Sequence, residues 1–141
     1  MLTLIAPLLV ALHPASQLAP PNPDWNCDDP QAQQEMNWCA SRDFAIADTD
    51  LNEQWAITAQ AMKARDANWQ DNPYARDTRP GYFDTLLEAQ RAWLTFRDAH
   101  CRAEGYVARG GSLEPLLVST CKTALTNART EQLRALAEDG M

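Results

Sequence analysis

Residues 29–62 read DPQAQQEMNWCASRDFAIADTDLNEQWAITAQAM, and this stretch decides the fold. Met36, Ala40, Phe44, Ala47, Leu51, Trp55, Thr58 and Met62 recur at steps of 4, 4, 3, 4, 4, 3 and 4. That spacing keeps them on one side of a 3.6-residue turn, so the stretch presents one continuous helical face. No Gly or Pro falls between Pro30 and Pro73, so nothing there interrupts the backbone ladder. Asp29 before Pro30 supplies an N-cap acid and a first-turn proline. Two helices broken near Asp48 are the alternative; the unbroken composition favours one helix over residues 30–67, roughly 55 Å long at 1.5 Å per residue.

Downstream, Asn68, Asp71, Asn72, Pro73, Arg79, Pro80 and Gly81 are turn formers and predict a loop over residues 68–81. A second helix begins at Tyr82 to Asp84, with Leu86 or Leu87, Gln90, Trp93 or Leu94, Arg97 and Cys101 on its inner face, and Gly105 as its stop. Gly110, Gly111 and Ser112 make the next turn. Glu114 and Pro115 open a third helix whose face is Leu117, Cys121, Leu125, Ala128, Gln132 or Leu133, and Leu136. No strand-like alternation and no internal repeat occurs. Amphipathic helices must bury their stripes against one another. The expectation is an all-α fold: a small antiparallel bundle of about three helices. Short connections make sequence neighbours antiparallel, which brings Cys39, Cys101 and Cys121 to one end.

The 141 residues suit one domain, and 45% apolar with 22% charged residues suits a globular one. Met1–Leu12 reads MLTLIAPLLVAL, uncharged and too short to span a bilayer. It fits the apolar region of a signal peptide, ended by Pro14 and the Pro-rich segment from Ala19 to Pro23. No Lys or Arg precedes it, and cleavage after Ala15, Ser16 or Ala19 is equally open. We read residues 1–19 as a leader and 20–141 as a single helical domain with its core over 27–136, periplasmic or secreted. No Cys closely follows the apolar run, so no lipid anchor is indicated.

Cys27, Cys39, Cys101 and Cys121 are an even set in a small exported chain, which implies two disulfides. Zinc fits poorly: there is no C-x-x-C pair, and once His13 leaves with the leader His100 stands alone. Three pairings are open. Local closure favours Cys27–Cys39 with Cys101–Cys121, each removing about 3 kcal/mol of unfolded-state freedom in the chain-entropy account. The formal charge is −7, from 19 acidic and 12 basic residues, all from Asp24 onward. Such a chain is repelled by phosphate backbones, so nucleic acid is not an expected partner and a basic protein is the better match.

Several strings, taken together, are distinctive: Met36-Asn37-Trp38-Cys39-Ala40, then Asp48-Thr49-Asp50-Leu51-Asn52 with Trp55 behind it, Leu87-Glu88-Ala89-Gln90-Arg91-Ala92-Trp93, and Phe96-Arg97-Asp98 leading into Cys101. The tail adds Gly111-Ser112, Cys121, Leu125-Thr126 and Arg129-Thr130 with Leu133. The chain resembles the lysozyme-inhibitor LprI-like domain family of small exported bacterial proteins, over residues 27–136. The resemblance implies a helical exported domain, and more weakly a lysozyme-inhibiting role. Two features depart from it. The founding members are lipoproteins, whereas no lipid-accepting Cys is evident here, and the loop from Asn68 to Gly81 is long for the family.

Arg97 and Gln90 fall on the inner face of the second helix. A buried Arg requires a partner, and Asp48 or Asp50 on the long helix can supply one, as a bridge that fixes helix register. Asn37 and Asn52 read as satisfied interior or capping amides. Trp55, Trp93, Phe96 and Tyr82 are the bulky set, and their ordinary use is core packing. Trp25, Trp38 and Trp69 are less accounted for; with Asp28 and Asp29 in the acidic lead-in they form the candidate partner-binding set. His100 beside Cys101 superficially suggests a nucleophile pair, but an oxidised Cys cannot attack. No catalytic residue, metal site or cofactor is assigned. The favoured reading is a binding protein occluding a basic lysozyme-like cell-wall hydrolase; the alternative is a non-catalytic envelope interaction module.

Overall fold

The structure is a computed structural model that describes residues 25–74 and 77–138. The leader expected over residues 1–19 lies outside the described residues. Three α-helices follow in order, α1 (Gln33–Gln70), α2 (Tyr82–Gly105) and α3 (Glu114–Glu138), with a 3-10 turn at Tyr106–Ala108 before α3. There is no strand among the described residues. The fold is the expected all-α bundle.

Contacts between named residues give the register. Asn37 donates to the Ser112 carbonyl, the Thr58 hydroxyl lies against the Leu133 carbonyl, and Arg65 donates to the Ala137 carbonyl. Residue numbers rise together, so α1 and α3 run parallel. Asp66 meets the start of α2 while Asp48 meets Arg97, so α1 and α2 are antiparallel. Gln90 opposite Arg129 and Cys101 joined to Cys121 make α2 and α3 antiparallel too. The N-terminus of α1, the C-terminus of α2 and the N-terminus of α3 therefore share one end of the bundle. Disulfides Cys27–Cys39 and Cys101–Cys121 both lie toward that end, with Cα separations of 5.5 and 5.4 Å.

The helix boundaries differ from the expectation in instructive ways. Asp29-Pro30 does not start α1, whose N-cap is Ala32. Alanine has no side-chain acceptor, and Glu35 takes over the work. Its carboxylate, 7% exposed, accepts the backbone N–H of Asn26 at 2.6 Å, Gln31 at 2.8 Å and Ala32 at 3.4 Å. Those bonds, that from Gln31 foremost, hold the Glu35 carboxyl below its ordinary value against the opposing effect of burial. Residues 26–32 are thus folded over the helix entrance, where the Cys27–Cys39 bridge also holds them. At the other end α1 runs to Gln70, so Trp69 sits in its last turn rather than in the loop. Gly105 closes α2 in ordinary helical geometry, φ −59°. What demands glycine there is proximity: a Cβ would collide with Val118 of α3.

The apolar core is small, built of Leu51, Met62, Leu86 and Leu133, with Trp55, Phe83 and Trp93 packed around it. The buried stripe of α3 is Cys121, Thr126, Thr130 and Leu133, rotated from the expected one; Leu136 is 39% exposed and Ala128 is at the surface. The buried threonines satisfy their hydroxyls within the bundle, Thr58 and Thr130 on main chain and Thr126 by accepting from Arg97. Thr130 donates to the Thr126 carbonyl at 3.0 Å. The fully buried Thr58 hydroxyl lies 2.8 Å from the Leu133 carbonyl and 3.0 Å from that of Gln54, and accepts from Gln54 Nε2 at 3.2 Å. Asp66 caps α2 from outside, its two oxygens accepting the Tyr82 and Phe83 N–H groups at 2.7 and 3.0 Å.

Candidate functional site

Three polar regions stand out, and their chemistry differs. The first is a seam of cations between the helices. Arg97, 6% exposed, places Nη1 3.0 Å from Asp48 of α1 and 3.3 Å from the Thr126 hydroxyl of α3, while Nε donates to Asp98 at 3.1 Å. The Phe44 and Trp93 rings lie 5.1 Å from its guanidinium carbon. One side chain thereby ties three helices together. Lys122 joins at 3.3 Å from Asp98. Burial raises the Asp98 carboxyl, but Arg97 and Lys122 together outweigh it and hold the group below its ordinary value. Arg129 donates to Gln90 at 3.0 Å and to Gln132 at 3.2 Å. Its Nη2 is buried without a hydrogen-bond partner, and burial lowers its pKa. Asn52, expected as an interior or capping amide, is exposed within α1 and reaches Asp48 only at 3.5 Å, from the solvent side. It lies one turn beyond Asp48 on the same side of α1, and Asp48 itself is at the rim.

The second region is the disulfide-bearing end. Trp25 and Trp38 are half-buried and tilt against each other with centroids 5.7 Å apart, and Arg42 covers Trp38 at 5.7 Å. Asp28 and Asp29 are exposed beside them in the chain. The structure thus gathers four of the candidate partner-binding residues. Trp69 is not among them: it lies at the far end of α1, about 46 Å from Trp38 at 1.5 Å per residue, and is 40% exposed. Phe96 does not pack in the core either; it is 53% exposed and stacks on His100.

The third region went unselected in the sequence. Between α1 and α3 runs a groove of about 440 Å³, lined by Asp50, Glu53, Gln54 and Ile57 on α1 and by Asn127, Ala128, Thr130, Glu131 and Arg134 on α3. Ile57 is 59% exposed, and Ile46, on the same α1 stripe, 54%. The signal was present as steps of 4, 3 and 4 through Ile46, Asp50, Glu53 and Ile57. That second face lies beside the buried one, with apolar residues at both ends and carboxylates between.

His100, Glu104 and Cys121 bring potential ligand atoms close together. The Cys121 sulfur is bonded to Cys101, so it offers no thiolate. His100 Nε2 and Glu104 Oε1, 2.9 Å apart, remain as an exposed pair one helical turn apart. No helix among the described residues is long and apolar enough to cross a membrane.

Comparison with known proteins places this architecture. An uncharacterized protein of Rhizobium meliloti (strain 1021) is 38% identical over 131 residues, covering 93% of this chain and 91% of the relative. No solved structure matches. The family model described as lysozyme inhibitor LprI matches residues 27–133, from the first disulfide cysteine to the buried Leu133 of α3. The chain belongs to the LprI lysozyme inhibitor family.

Proposed function

We propose that this is an exported binding protein that occludes a basic, lysozyme-like cell-wall hydrolase. The observation that carries the reading is the family match, which extends across all three helices and both disulfides. Two further features support it. Disulfides in a small chain fit an oxidising compartment outside the cytoplasm, in keeping with the apolar leader read in residues 1–19. A formal charge of −7 suits a cationic target and accelerates encounter with it. Occlusion asks for a rigid surface and no bond-making, so no residue is given a catalytic role.

The test is lysis of bacterial cell walls by a c-type lysozyme, with and without the oxidised mature protein, at two salt concentrations. Dose-dependent inhibition that weakens as salt rises is expected, because opposite-charge steering is screened over about 10 Å at 0.1 M salt. Undiminished lysis at large excess of the protein sinks the inhibitor reading and leaves an envelope interaction module in its place.

A further inference from the structure

We propose that the α1–α3 groove is the docking surface, and that its occupant is a Lys- or Arg-bearing surface segment of the basic hydrolase. The inference rests on the binding reading above and deepens it by naming the face.

The first argument is what the groove leaves unpartnered. Among the described residues, Asp50 and Glu53 make no ion pair, whereas Glu131 is paired with Arg134 one turn along α3. Ile46 and Ile57 stand more than half exposed on the same stripe. The floor is already satisfied: Gln54 and Thr130 are buried, and their side chains bond within the helices. The groove therefore offers an occupant two unpaired carboxylates, the exposed Asn127 side chain and Ile57, with Ile46 just outside it on the same α1 stripe.

The second argument is which occupant those valences accept. A purely apolar segment would strip water from Asp50 and Glu53 and return nothing. An anionic partner is repelled. A second copy of this chain, seated groove to groove, brings the same carboxylates against themselves. A lysine or arginine satisfies both kinds of group at once, its aliphatic stem lying along Ile46 or Ile57 and its charged head meeting a carboxylate. The disulfide end offers less: its two tryptophans face each other and Arg42 already covers Trp38.

The experiment measures binding of the oxidised protein to a c-type lysozyme by calorimetric titration at low and moderate salt. Four proteins are compared: wild type, the Asp50→Asn/Glu53→Gln pair, Ile57→Ser, and the Asp84→Asn/Glu88→Gln pair, exposed on α2 away from the groove. The groove carboxylate pair is expected to weaken binding tenfold or more at low salt and to flatten its salt dependence. Ile57→Ser is expected to weaken it several-fold at both salts, and Asp84→Asn/Glu88→Gln to stay within twofold of wild type. Unfolding midpoints of all four, recorded alongside, tie any loss to the surface rather than to the fold. If wild type binds and both groove variants bind equally well, the groove is the wrong face and the binding reading survives. If wild type does not bind, the inference falls together with the reading beneath it.

Discussion

The two sides of α3 use charge in opposite ways. Toward α2, Arg97, Lys122 and Arg129 are drawn into the bundle, and each finds acceptors on this same chain. Toward α1, Asp50 and Glu53 remain at the surface with no cation assigned to them among the described residues. The difference follows from desolvation. A guanidinium that leaves water is costly unless it recovers hydrogen bonds inside the protein, as Arg97 does and as Arg129 does at all but its buried Nη2, so the inner charges are bound up with the fold. An exposed carboxylate has no such obligation and stays available to something outside it. Stability is thereby tied to the seam between α2 and α3, and the proposed recognition surface lies between α1 and α3, so substitutions in the two places are expected to report on different quantities.

The largest effect is expected at Arg97. Arg97→Ala removes the link between three helices and leaves a gap beside Phe44 and Trp93. Asp48 is 39% exposed and can be rehydrated, so the cost falls below that of a fully buried orphan charge, at about 2–3 kcal/mol in urea unfolding. Arg97→Met, which keeps the packing and drops the charge, should recover much of it, since apolar replacement of buried ion pairs is often nearly neutral. An unchanged unfolding midpoint for Arg97→Ala would show that the seam is decorative.

Next comes Thr58, between the two flanks. Thr58→Val keeps the shape and deletes one hydroxyl, so about 1 kcal/mol should be lost. A serine at the same position keeps the hydrogen bond and opens a methyl-sized void instead. If valine is tolerated and serine is not, the methyl matters more than the bond to Leu133, and the polar interior of the α1–α3 contact is incidental.

These two sites also mark what could be read in advance. The long α1 was legible because its period is unbroken from Met36 to Met62, about seven turns at 3.6 residues each, free of Gly and Pro, and Arg97 stood out because a cation on an apolar stripe needs an explanation. The α3 stripe was not legible. Threonine scores as neither apolar nor charged, so a face built on Thr126 and Thr130 gives way, on paper, to the more hydrophobic Leu125–Leu136 side. The start of α1 was misplaced because Asp29-Pro30 is a sound local signal; Glu35 and the Cys27–Cys39 bridge override it from nearby in space. The groove was out of reach for another reason. It exists only once α1 and α3 lie parallel, and that register is set by contacts separated by more than seventy residues.

A smaller effect is expected at Asp98, where the seam reaches the surface. Its folded pKa lies below the unfolded value near 3.8. The stabilisation it provides is therefore complete above pH 3.8 and is lost as pH falls through the folded value. Half the side chain faces water, so the amount is under about 1 kcal/mol. The stability gap between wild type and Asp98→Asn should be present at pH 7, narrow below pH 3.8 and close in stronger acid. A gap that persists unchanged at low pH would mean that the substitution acts through packing rather than through the pairs with Arg97 and Lys122.

The smallest effect on stability is expected where the groove variants act. Asp50 and Glu53 have no ion pair to lose, and the chain already carries excess negative charge. Asp50→Asn/Glu53→Gln should therefore stay within about 0.5 kcal/mol of wild type, and at low salt its unfolding midpoint should move upward if at all, because two like charges have been removed from an acidic surface. The direction matters more than the size. A loss above 1 kcal/mol would show that these carboxylates hold the helices together after all, and the contrast between the two flanks of α3 would dissolve. A neutral or raised midpoint leaves Asp50 and Glu53 without a structural use, which is the condition under which weakened lysozyme binding by the same variant can be ascribed to lost contacts at the groove.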